Sequence, residues 1–120
     1  MLETSNKLQI ELEGKVMAEP AKILIVDDEA GIRESLQDIL MQEGYKTETA
    51  KTGKEALEAC QKETFDVAII DVKLPDMDGT SLLDTLKKFD PNLVRIIITG
   101  YPSLENAVQS INSGADGYIV

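Results

Sequence analysis

The chain of 120 residues contains no histidine and a single cysteine, Cys60. Without histidine, the side chain that most often serves as metal ligand, general base or phosphoryl carrier near neutral pH is missing. One thiol excludes an internal disulfide and a thiolate zinc cage, and favours a cytosolic setting. Cations are scarce as well: 12 Lys and Arg stand against 22 Asp and Glu, for a formal net charge of -10. Such a field repels phosphate backbones and anionic lipid, so this segment is not expected to bind nucleic acid directly. A divalent cation or a basic protein face suits it better. No apolar run approaches the roughly 20 residues of a membrane span, so no membrane contact is expected. The acidic opening "MLETSNKLQIELEG" is unlike a signal peptide.

Familiar phosphate and metal motifs are absent too. No P-loop run ending in Gly-Lys-Ser or Gly-Lys-Thr occurs, and the turn "DDEAG" after the first apolar run lacks the glycine trio of a dinucleotide fold. An EF-hand loop needs ligands at alternating positions, where "DVKLPDMDGT" places Lys73 and Pro75.

What is present is the composition of one globular domain, with 42% apolar and 28% charged residues. "KILIV" (Lys22 to Val26), "VAII" (Val67 to Ile70) and "LVRIII" (Leu93 to Ile98) are nearly continuous β-branched runs, as in parallel strands covered on both faces. "YKTETA" (Tyr45 to Ala50) is more polar and predicts an edge strand, and "GYIV" (Gly117 to Val120) begins a fifth. Helical stripes lie between them. Ile32, Leu36, Ile39 and Leu40 mark a helix over Ala30 to Glu43 with Gly44 as a left-handed cap. Ala56, Leu57 and Cys60 mark one over Gly53 to Glu63. Leu82, Leu83 and Leu86 form a third stripe that stops at "DPN", and Leu104, Ala107, Val108 and Ile111 a fourth. The alternation predicts an α/β fold with a doubly wound parallel sheet.

In such a sheet the site lies beyond the carboxyl ends of the strands. Asp27, Asp28 and Glu29 follow the first strand, Asp71 the third, and Thr99 and Gly100 the fourth. Each has a plain reading: Asp27 or Asp28 as a helix cap, Thr99 as turn chemistry. Asp71 resists one, since no helix start lies nearer than Gly79. Converging carboxylates repel each other unless a hard cation joins them, and magnesium suits oxygen ligands and phosphate. An aspartyl phosphatase would usually carry a second acid two residues after its nucleophile. Here that residue is Lys73, so a phosphoryl group on Asp71 would be held rather than turned over.

"KILIVDDE", "DVAIIDVKLPDMDG", "RIIITGY" and "SGADGYIV" together resemble the receiver domain of two-component response regulators, the fold shared with bacterial chemotaxis regulators, from Lys22 to Val120. The resemblance implies a five-stranded sheet in the order 2-1-3-4-5. It makes Asp71 the phosphoacceptor and Asp27 and Asp28 holders of a magnesium ion, Asp28 the more direct, with the backbone carbonyl of Lys73 as a further ligand. Thr99 resembles the switch hydroxyl, Tyr118 the aromatic that moves inward behind it, and Gly100 leaves room for the phosphoryl group. Tyr101 is placed to shield that group from water. The implied setting is cytoplasmic, and the implied partners are a sensor histidine kinase and an output domain or partner protein, with a homodimer also open. Such a domain is a switch rather than an enzyme, with at most self-phosphorylation from small donors and slow loss of the group. A receiver-like interaction module that is never phosphorylated is the alternative.

Two departures accompany the resemblance. The family pattern continues past the fifth strand with a lysine, a proline and a last helix, whereas this sequence stops at Val120, so a cut boundary and uncovered apolar surface beside the first helix are expected. Residues 1–20 are read as an N-terminal linker or extension, and 21–120 as the receiver domain, lacking its last helix. Within the extension Leu8, Ile10 and Leu12 alternate like a strand, while Leu8, Leu12 and Val16 also fit a helix.

Overall fold

The computed structural model describes residues 20–98 and 115–119, with Tyr118 and Ile119 described by their backbone. The elements follow in the order β1 (Lys22–Val26), α1 (Ala30–Gln42), β2 (Lys46–Ala50), α2 (Gly53–Lys62), β3 (Val67–Asp71), α3 (Gly79–Phe89), β4 (Val94–Ile98) and β5 (Gly117–Ile119). All paired strands are parallel. β1 lies between β2 and β3, β4 follows β3, and the short β5 pairs with β4 through Ile96 to Ile98. The polar β2 stands at the sheet edge, as its composition predicts.

The period-2 alternation of the strands divides the core into two layers. Leu24, Val26, Ala68, Ile70 and Ile97 face one way and pack with Ala56 of α2 and with Leu82, Leu83 and Leu86 of α3. Ile23, Ile25 and Ile69 face the other way and meet Leu36 and Leu40 of α1. Helices on both faces make the sheet doubly wound. The stripe on α1 is narrower than its sequence suggests. Leu36 and Leu40 reach the sheet, but Ile32 is 38% exposed and Ile39 57%. Ile39 sits about 100° round the helix from Leu40, which turns it off the contact line.

Local signals set the helix ends. At the end of α1, Gly44 adopts a φ of 94° and donates to the carbonyl of Met41, while Tyr45 donates to that of Leu40. This is a Schellman motif, and Leu40 and Tyr45 pack on the same cluster beneath it. At the start of α2, the Thr52 hydroxyl accepts the amide of Glu55 at 3.0 Å, and the Glu55 carboxylate accepts that of Lys51 at 2.9 Å. Cys60 is half-buried against the α2 and α3 layer, as core packing predicts, and burial pushes its thiol pKa up.

Arg95 interrupts the apolar run of β4 yet is only 4% exposed. Its backbone N–H donates to the Asp116 carboxylate at 2.8 Å, its carbonyl accepts the Asp116 amide at 2.7 Å, and its guanidinium stands 3.7 Å from the same carboxylate. These contacts seat the residues before β5 beside β4. The fourth helical stripe and the N-terminal extension, including Leu8, Ile10, Leu12 and Val16, lie outside the described residues. Among those described, no helix is long and apolar enough to cross a membrane.

Candidate functional site

The chain runs from β1 outward to β2 and then returns past β1 to β3, so strand order reverses between β1 and β3. Val26 and Ile70 are register partners across that boundary. The residues that follow them, Asp27 and Asp71, are therefore neighbours at the carboxyl rim, where such sheets bind ligands. Asp27, Asp28 and Asp71 each offer a carboxylate oxygen, and these oxygens lie within 4.8 Å of one another.

The three acids differ in setting. Asp27 is buried, Asp71 half-buried and Asp28 exposed. Asp27 is held from both ends: its amide donates to the Ala50 carbonyl at 3.1 Å, and its Oδ1 accepts the Glu29 amide at 2.9 Å. That second bond is an Asx turn rather than a helix cap, because Glu29 is the N-cap of α1 and its side chain caps nothing. Burial, with Asp28 and Glu29 adding repulsion, raises the Asp27 pKa against the pull of the Glu29 N–H.

Asp71 closes β3. Its Oδ1 accepts the Lys73 amide at 3.2 Å, and the next residue, Val72, donates to the Ile98 carbonyl at 3.1 Å. Desolvation raises the Asp71 pKa to about 6, with the charges of Asp27, Asp28 and Glu29 adding to it and the Lys73 N–H opposing it. A carboxylate so displaced is what unneutralised acids in a half-buried site produce. Three hard oxygen donors from two strand ends, one open to solvent, fit a small divalent cation that keeps part of its water.

The loop after Asp71 folds back on itself. The backbones of Lys73 and Asp78 pair as an isolated antiparallel β-bridge, Leu74 donates to the Met77 carbonyl at 3.2 Å, and Gly79 donates to the Val72 carbonyl at 2.8 Å. Gly79 starts α3 directly against β3: a Cβ there would overlap the Asp71 carbonyl oxygen and lie 2.9 Å from Val72 Cα. Thr99, Gly100 and Tyr101 lie outside the described residues, and Tyr118 is placed on β5 by its backbone.

Two residues at the site carry no obvious mark in the sequence. Arg33, in the first turns of α1, donates from Nη1 to the Asp27 carbonyl at 2.7 Å, and its charge only slightly opposes the rise that burial imposes on the Asp27 pKa. Its signal is only a spacing of six from Asp27, which one helix start converts into contact. The other is Asp76, whose carboxylate leaves the loop to bond the start of α2, with Oδ1 to the Gly53 amide at 2.9 Å and Oδ2 to the Lys54 amide at 3.0 Å.

An α/β sheet with three acids gathered at its switch point has the donor set of a cation-binding domain. The comparisons specify which. The chain matches the response regulator receiver domain over residues 23–120, and it belongs to that family. It is 43% identical over 94 residues to sporulation initiation phosphotransferase F of Bacillus subtilis, covering 78% of this chain and 76% of that protein. A receiver domain protein of Methanospirillum hungatei superposes with a TM-score of 0.79 at 49% identity, covering 83% of this chain and 80% of the other. A response regulator from Burkholderia pseudomallei, solved with a phosphorylated aspartic acid, a calcium ion and citrate, gives 0.79 at 31% identity, covering 82% and 58%. The chain spans only 21% to 43% of the length of seven further curated relatives, all named as regulators. Receiver domains of this family are signalling switches rather than classical enzymes.

Proposed function

We propose that this domain accepts a phosphoryl group on Asp71 from the phosphohistidine of a sensor kinase, with magnesium bound at Asp27, Asp28 and Asp71. The single observation that carries this reading is the convergence of those carboxylates within 4.8 Å at the switch point. A bound magnesium ion would neutralise charge on the acids and on the phosphoryl oxygens. The chain's own contribution is placement. Asp28, exposed, would offer the more direct ligand, Asp27 is fixed by the Ala50 and Glu29 bonds, and the Lys73 carbonyl is the further ligand that the family resemblance implies.

In the transfer, an Asp71 carboxylate oxygen bonds to phosphorus as the bond from phosphorus to the donor nitrogen breaks, and the imidazole leaves with its electron pair. The transition state is loose, so alignment and charge neutralisation do most of the work. The product adds roughly -1.5 to -2 charge to an acidic rim. Thr99 as switch hydroxyl, Gly100 as clearance and Tyr118 as the following aromatic would then relay the change to an output domain, a partner protein or a second copy. Tyr101 would slow attack by water on the acyl phosphate.

Intact-mass measurement after incubation with magnesium and acetyl phosphate tests the reading. A phosphate adduct is expected on the wild-type chain and none on Asp71→Asn. An adduct that persists in Asp71→Asn would move the acceptor elsewhere, and no adduct on either this chain or one extended past Val120 would leave an interaction module.

A further inference from the structure

The β2–α2 turn, Ala50 to Lys54, is where the two acid-bearing segments meet. On one side the Ala50 carbonyl accepts the amide of Asp27 at 3.1 Å. On the other, the first two amides of α2 are taken by both oxygens of Asp76, at 2.9 and 3.0 Å, across 23 and 22 residues of sequence respectively. These amides have no carbonyl partner within their own helix. Thr52 already caps the third, so Asp76 supplies acceptors that the turn's own residues do not. Met77 follows with its side chain packed so closely over Gly53 that a Cβ there would overlap it. The loop is thus closed at its base by Gly79 to Val72 and held at its tip by Asp76 and Met77. Asp76 is itself exposed and belongs to none of the acids gathered at the rim.

We propose that Asp76 is a positioning residue: by clamping the 72–79 loop to the β2–α2 turn that also holds Asp27, it fixes Asp71 and Lys73 relative to Asp27 and so sets the affinity for magnesium. The inference rests on the phosphoacceptor reading and deepens it. The carboxylate is suited to the clamp, since the Gly53 amide, followed by that of Lys54, holds its pKa below the ordinary value and keeps it an acceptor.

Isothermal titration with magnesium chloride on the full chain tests it, with wild type, Asp76→Asn and Asp76→Ala compared. Asp76→Ala is expected to weaken binding by about ten-fold, as removal of groups that orient metal ligands does. Asp76→Asn keeps one oxygen and so one of the two bonds, and should fall between the other two. In amide spectra of the metal-free proteins, the Gly53 and Lys54 signals should move in Asp76→Ala together with that of Lys73, which donates to Asp71. Unchanged affinity in Asp76→Ala overturns the inference while leaving the metal site intact. Equal weakening by Asn and Ala, with the Lys73 signal unmoved, overturns it in favour of simple charge attraction. Wild-type protein that binds no magnesium overturns the metal reading and this inference with it. If Asp76→Ala does not fold, Asp76→Asn against wild type decides by the same criteria.

Discussion

At the scale of the residue, Asp71 is tuned by competing forces, and the balance has a measurable sign. Its folded pKa of about 6 exceeds the ordinary 3.8. Between those values the folded state binds more protons than the unfolded state, so stability falls as pH rises through the window. A full shift of this size would correspond to about 1.4 kcal/mol per unit, but the side chain is half-exposed and screening reduces it to on the order of 1 kcal/mol. Asp71→Asn removes the burden, so in chelator at pH 7.5 it should be more stable than wild type by about that amount. Near pH 4 the gap should close. Urea unfolding at the two pH values checks this, and a wild type that gains stability between pH 4 and 6 relative to Asp71→Asn would contradict it.

At the scale of the element, the site depends on how closely α3 begins against the end of β3. Gly79→Ala sets two effects against each other. Alanine favours the helix by up to about 1 kcal/mol. Its Cβ, however, would overlap backbone at Asp71 and Val72, which cannot swing aside as a side chain can. Overpacking of this kind costs about 1 to 3 kcal/mol, so net destabilisation is expected, with slower phosphorylation because the Asp71 carbonyl must move. Chemical denaturation and the rate of adduct formation together check it. The element scale also shows what the sequence could reveal. β1, β3 and β4 are legible because burial on both faces favours nearly continuous apolar runs, Arg95 being the one break, and the Asp27, Asp28 and Asp71 meeting point is legible because all three directly follow the apolar runs of β1 and β3. Asp76 was not legible, because its partners lie 22 and 23 residues away and their proximity exists only once the loop has folded back. Ile32 and Ile39 share the predicted stripe of α1 yet stay exposed, on the helix beside which uncovered apolar surface is expected from the sequence.

At the scale of the whole molecule, the three acids sit within a chain of net charge -10, so two kinds of cation effect must be separated. Any salt screens the general self-repulsion, whereas a specific site responds to a divalent cation such as magnesium and not to sodium. A ligand that binds only the folded state at one hundred times its dissociation constant adds about 2.7 kcal/mol, which for a domain near this size raises Tm on the order of 10 °C. Sodium chloride at matched ionic strength should give only a small fraction of that rise. Asp28→Asn separates the effects further, because it acts on them with opposite signs. Removing one negative charge from the rim relieves repulsion and should raise Tm slightly in chelator, while losing the exposed ligand should abolish most of the magnesium increment. Thermal unfolding of wild type and Asp28→Asn in chelator, sodium chloride and magnesium chloride distinguishes the cases. An increment that survives in Asp28→Asn, or that sodium reproduces, would mean that the acidic rim acts as a diffuse field and not as a metal site.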